Sequence, residues 1–136
     1  MENYLTSFIS SASKLKRIGL LGCGAIGTQI AIAIDTGIIP AQLTHIFDTD
    51  KKNSEKLATK LKQRPEIVEN AHLLSSNPLD LVVEAASQEA VSDNALSILQ
   101  NRRNLMMMSA GALLDESVFC LLYTSDAADD TPCVDL

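Results

Sequence analysis

Residues 21–31 read LLGCGAIGTQI. Gly22, Gly24 and Gly27 fall in a G-x-G-x-x-G spacing, and the reading of this turn decides the fold. The spacing alone is weak, because glycine is common and short patterns recur by chance. A buried strand before it and a helix after it would give it meaning. Residues 17–21, RIGLL, form a short apolar run suited to a strand buried on both faces. Residues 25–36, AIGTQIAIAIDT, carry Ile26, Ile30 and Ile34 at helical spacing. Gly37 then offers a C′ position and Pro40 prevents continuation.

The alternation continues outward from this unit. Residues 43–48, LTHIFD, read as a second strand, and residues 50–63, DKKNSEKLATKLKQ, as a charged amphipathic helix with Leu57 and Leu61 on its buried stripe. Residues 66–69 form a short strand, and 70–78 a turn with room for one helical turn. Residues 79–84, LDLVVE, are a strand, after which Ser87 caps a helix over QEAVSDNALSILQN. Residues 104–108, NLMMM, are a fifth strand, and a last helix is expected from near Ala112 to near residue 122. This order predicts an α/β fold, a Rossmann-type doubly wound parallel sheet, incomplete at its C-terminal end. Residues 1–15 are a frayed or weakly helical lead-in and 16–122 the dinucleotide-binding domain. Residues 123–136, YTSDAADDTPCVDL, are acidic and aperiodic, resemble translated adapter read-through, and are expected to be a non-native or disordered tail.

Composition narrows the partners. The 136 residues are 46% hydrophobic and 21% charged, with a net charge of −6, which suits a globular domain and not a nucleic-acid binder. Lys14, Lys16 and Arg17 read as a solvated strand entrance. No apolar run approaches the ~20 residues of a bilayer span, so no membrane partner is expected. Cys23, Cys120 and Cys133 lack C-x-x-C spacing, which argues against a disulfide framework or zinc and for a reducing cytoplasm. His45 and His72 are far apart and read as structural or exposed, so no metal site is expected. The methionines at 106–108 read as strand core, because consecutive strand side chains point to opposite faces and cannot converge on one ion.

Within its strand–turn–helix–strand context, the glycine turn is a dinucleotide cradle. Gly22 permits the tight turn, Gly24 lets a pyrophosphate approach the backbone, and Gly27 lets the helix sit close to the strand. The N–H groups around Ala25 and Ile26 face the phosphates, and the helix dipole adds attraction. Asp48, at the end of the second strand, can accept both ribose hydroxyls of the adenosine and repels the extra phosphate of NADP. Asp50 is its competitor, and Lys51 and Lys52 could soften the preference, so NAD is expected with NADP admitted. Cys23 reads as an incidental small residue of the turn. Ala85, Ala86 and Ser87 form one small-residue loop at a strand's carboxyl end, and Ser109, Ala110, Gly111 and Ala112 a second, where the nicotinamide ribose and ring should rest. Glu84 is given no catalytic role.

Two stretches narrow the family. DLVVEAASQEAV (80–91) and NLMMMSAGALLDE (104–116) follow the glycine turn at strand-to-helix spacing. Over residues 16–119 the chain resembles the nicotinamide-binding half of an L-aspartate dehydrogenase, within the broader set of homoserine dehydrogenase-like NAD-binding domains. The resemblance implies oxidation of L-aspartate to iminoaspartate, which feeds NAD biosynthesis or hydrolyses to oxaloacetate and ammonia. It also implies a second domain carrying substrate-binding groups and a catalytic histidine. Neither His45 nor His72 matches that histidine, so no catalytic residue is assigned and the chain is expected to be inactive alone. The other readings are a stand-alone NAD-binding or sensing module, and the cofactor domain of a homoserine or other two-domain dehydrogenase. A homo-oligomer is compatible with all of them.

Overall fold

The computed structural model describes residues 14–126. The expected lead-in up to residue 13 and the expected tail from residue 127 lie outside the described residues. The strands are β1 (Lys16–Leu21), β2 (Ala41–Phe47), β3 (Glu66–Ile67), β4 (Leu81–Glu84) and β5 (Asn104–Met107). The helices are α1 (Ala25–Asp35), α2 (Lys51–Lys60), α3 (Ala71–Ser76), α4 (Gln88–Gln100) and α5 (Glu116–Asp126), with a 3-10 helix over Ala110–Leu114. The sheet order is β3-β2-β1-β4-β5, and every pairing is parallel. Chain direction across the sheet therefore reverses at β1, with β2 on one side and β4 on the other. In such sheets a crevice opens at the carboxyl ends of the strands beside that switch.

Alternation along the strands sorts the core into two layers. Leu20 and Val83 pack with Ala31, Ile34, Leu57 and Ala58 of α1 and α2. Their neighbours Leu21 and Val82 pack with Leu74 of α3 and Ile98 of α4. A third cluster joins Val91 and Ala95 of α4 to Ala112 and Val118. Both faces of the central strands are covered, which is why β1 and β4 read as continuous apolar runs.

Several boundaries differ from the sequence expectation, for local reasons. α2 stops at Lys60, three residues early, because Leu61 is extended and the Asp35 carboxylate accepts from the Lys62 and Gln63 N–H groups at 2.9 and 3.1 Å. Those bonds hold the Asp35 carboxyl below its ordinary pKa. Residues 71–76 make a short helix, which Asn70 caps through the Leu73 N–H. The last helix is not continuous from Ala112. Asp115 is extended and its Oδ1 accepts from the Ser117 N–H, so a 3-10 helix and a new α-helix meet there. That α-helix runs on to Asp126, past the expected end near residue 122.

The methionine run alternates as expected, but only Met107 packs inward; Met106 and Met108 are exposed. Among the described residues β5 pairs with β4 alone and is an edge strand of the sheet.

Candidate cofactor site

The turn between β1 and α1 takes its shape from what surrounds it. Gly22 has φ 107°, a left-handed conformation, and its N–H donates to the Phe47 carbonyl at 2.8 Å. A Cβ on Gly22 would stand 2.7 Å from the Ala85 carbonyl, so the loop after β4 presses on the turn. A Cβ on Gly27 would overlap the Gly22 carbonyl oxygen, so α1 begins hard against the strand end. Gly24 differs from both. Nothing lies within 4 Å of the place its Cβ would take.

Gly24 is also the N-cap of α1, with no side chain capping the first turn. Asp50, Asn70 and Ser87 cap the next three helices by side-chain bonds to backbone N–H groups. The start of α1 thus leaves backbone N–H groups and the positive end of the helix dipole beside open space.

Asp48 follows β2 and is half-buried. Its Oδ2 accepts from the Cys23 N–H at 2.8 Å, and its Oδ1 from the Asp50 N–H at 2.8 Å. Asp48 is therefore both a turn former and a strut under the glycine turn. Asp50, its competitor in the sequence, accepts from the Lys52 N–H as a helix cap. A cavity of about 410 Å³ opens between these parts, lined by Gly22, Gly24, Asp48, Ala85, Ala86 and Ser87 among others. Six residues singled out in the sequence thus meet in one cleft. Asp50, Lys51 and Lys52 do not line it.

The cavity also takes in Glu89, Asp93 and Asn94 of α4, which the sequence reading passed over. Their signal was present: positions 89 and 93, one helical turn apart, place two carboxylates on one face of a helix leaving a candidate loop. Glu84, given no catalytic role from the sequence, makes a structural tie. It is fully buried, accepts from the Ala86 N–H at 2.9 Å through Oε2, and accepts from the Ser109 N–H at 2.9 Å through Oε1. A carboxylate at the end of a buried strand has to find such donors.

The remaining expected site residues are placed differently. Ala25 and Ile26 are exposed on the first turn of α1. Ser109 to Ala112 do not line the same cavity. Gly111 lies beneath the Gln88 amide, and the Ala112 side chain belongs to the core with Val91 and Val118. Cys23 is a free, buried thiol whose Sγ donates to the Phe47 carbonyl at 3.7 Å. Burial, helped by the Asp48 charge, pushes its pKa to about 12, so it is no nucleophile at neutral pH. His45 pairs with Thr44 and Glu66, and His72 with Ser97, all away from the cleft.

A family profile described as "Homoserine dehydrogenase, NAD binding domain" matches residues 22–131. This chain belongs to that family. The NAD-binding domain is 62% identical over 116 residues to an L-aspartate dehydrogenase of Nitrosopumilus maritimus (strain SCM1), covering 85% of this chain and 42% of that protein. It is 42% identical over 108 residues to one of Methanocella arvoryzae, covering 79% of this chain and 39% of that protein. The chain therefore spans about two fifths of the length of the curated relatives it matches. Its fold is that of the scyllo-inositol dehydrogenase of Lactobacillus casei solved with NAD(H) and scyllo-inositol, with a TM-score of 0.69 at 18% identity over 84% of this chain and 34% of that one.

The cleft fits the cofactor of this family. Open space over Gly24 beside an uncapped helix start suits a pyrophosphate. Asp48 in the same cavity offers oxygen acceptors to a ribose. Among the described residues, no helix is long and apolar enough to cross a membrane.

Proposed function

We propose that this chain is the cofactor-binding half of an L-aspartate dehydrogenase, and that NAD is its preferred dinucleotide. The observation that carries the reading is the shared cavity of Gly24 and Asp48, taken with the 62% identity to the Nitrosopumilus enzyme. Gly22, Gly24 and Gly27 shape the cradle. The N–H groups of Ala25 and Ile26 hold the pyrophosphate, and Asp48 takes the adenosine ribose. Ala85, Ala86 and Ser87 wall the cleft. Ser109, Ala110 and Gly111 form its nicotinamide end, with Ala112 seating that loop in the core. A cytoplasmic setting goes with this reading.

The bound nicotinamide supplies the hydride acceptor for the substrate Cα–H. The residues of this chain do the rest of what a cofactor domain must do: they bind, orient and exclude water. L-aspartate would leave as iminoaspartate, with NADH and a proton as the other products. We assign no catalytic side chain to these residues.

The preference for NAD rests on charge. Asp48, Glu89 and Asp93 line one cavity, and no Lys or Arg lines it. A 2′-phosphate would enter a field of three carboxylates. Titration calorimetry of the chain with NAD and NADP tests this; NAD should bind at least about tenfold more tightly, a difference of ~1.4 kcal/mol. Binding of neither, or a preference for NADP, overturns it. NADH formation by the full-length enzyme should be faster with L-aspartate than with homoserine, and the reverse order would sink the substrate assignment.

A further inference from the structure

One buried side chain joins the loop after β4, which lines the cleft, to the loop after β5. Glu84 ends β4, where the sheet register sets it beside Leu21 on one side and Met107 on the other. Its Oε2 accepts from the Ala86 N–H at 2.9 Å and from the Ser109 hydroxyl at 2.7 Å, and its Oε1 accepts from the Ser109 N–H at 2.9 Å. One carboxylate thus holds the loop after β4 and the loop after β5 at a set spacing. An alkyl side chain would fill the same space but leave both N–H groups without these acceptors.

The strand order says which part of a ligand this spacing concerns. Across the carboxyl edge of the sheet the order is β2, β1, β4, β5. Asp48 stands at β2 and Gly24 beyond β1, so a dinucleotide with its ribose at Asp48 and its pyrophosphate over Gly24 continues toward Ala86 and Ser109.

We propose that Glu84 is a positioning residue that clamps Ser109 to Ala86 and so presets the nicotinamide end of the cleft. The inference rests on the dinucleotide reading above. It separates two halves of one ligand. The adenosine and pyrophosphate are held at Asp48 and over Gly24, neither of which is hydrogen-bonded to the Glu84 side chain, whereas the nicotinamide end depends on the clamp.

The test compares NAD with ADP-ribose, which lacks only the nicotinamide, by calorimetry on the 136-residue chain. The unaltered chain should bind NAD more tightly than ADP-ribose. Glu84→Gln replaces one acceptor oxygen by an NH₂ group facing a backbone N–H. It should weaken NAD about tenfold and leave ADP-ribose within about twofold. Amide exchange at Ser109 should quicken in the same variant. Equal weakening of both ligands, unchanged NAD affinity, or an unaltered chain that binds both ligands equally would overturn the clamp and leave the dinucleotide reading standing. An unaltered chain that binds neither would overturn that reading and the clamp with it. Ser109→Ala removes one of the three bonds and decides the matter if Glu84→Gln does not fold. It should lower NAD affinity about threefold with ADP-ribose unchanged, and an unchanged ratio of the two overturns the proposal.

Discussion

Gly27 lies against the backbone of Gly22 so closely that a Cβ on Gly27 would overlap the Gly22 carbonyl oxygen. The obstacle is main chain, which cannot turn aside as a side chain can. Gly27→Ala should therefore destabilise the fold by about 1–3 kcal/mol, in the range of other overpacked sites. Urea unfolding measures it; an unchanged midpoint would show that α1 can shift away from β1.

Gly24 predicts the opposite pattern. The space over it is open, so Gly24→Val should stay folded, losing about 0.5–1 kcal/mol because valine is a poorer N-cap than glycine. It should abolish NAD binding, because the branched side chain takes the place proposed for the pyrophosphate. A folded variant that binds NAD as tightly as the parent would make the glycine turn purely structural.

Asp48 combines the two roles. Asp48→Ser removes the carboxylate that accepts from the Cys23 and Asp50 N–H groups, and should cost about 1–3 kcal/mol of stability. It should also shift the ratio of NAD to NADP affinity toward NADP by about tenfold. A stable ratio would transfer the selection to Glu89 and Asp93, which share the cavity.

Cys23 predicts a pH dependence. Its pKa is raised from 9.0 to about 12 in the fold, by burial first and the Asp48 charge second. The unfolded thiol ionises near 9 and the folded one does not. The associated stability is fully present below pH 9 and is lost as the pH rises toward 12. Cys23→Ser should flatten the fall in unfolding free energy over that window. The native thiol should also resist iodoacetamide at neutral pH until the chain is denatured, and rapid native labelling would contradict the burial.

The 136-residue chain should bind NAD without oxidising L-aspartate. It covers 42% of the Nitrosopumilus relative, and its cleft offers a cradle without an assigned proton-transfer group. Lacking acid–base groups alone lowers rates by ~10²–10⁴-fold. The assay is NADH formation with the Nitrosopumilus L-aspartate dehydrogenase as control. Turnover within about tenfold of that control would place the complete active site in these residues, against the loss expected from missing acid–base groups.

The sequence by itself determined the alternation of strands and helices, the parallel sheet and the glycine turn. These follow from sequence patterns: apolar runs mark buried strands, helical spacing marks packed helices, and a helix between successive strands returns the chain for parallel pairing. RIGLL before the turn and AIGTQIAIAID after it were enough. Tertiary structure alone decided which of the small residues share a cavity. Ala85 and Ala86 line it, whereas Ala112 turns into the core, and no local pattern separates them. It also placed Asp48 in that cavity and Asp50 outside it, because β2 ends beside Cys23 while α2 takes Asp50 as its cap. Glu84 shows the same division. Its burial was readable from the valines before it, but its partners, Ala86 and Ser109, come together only when β4 and β5 pair.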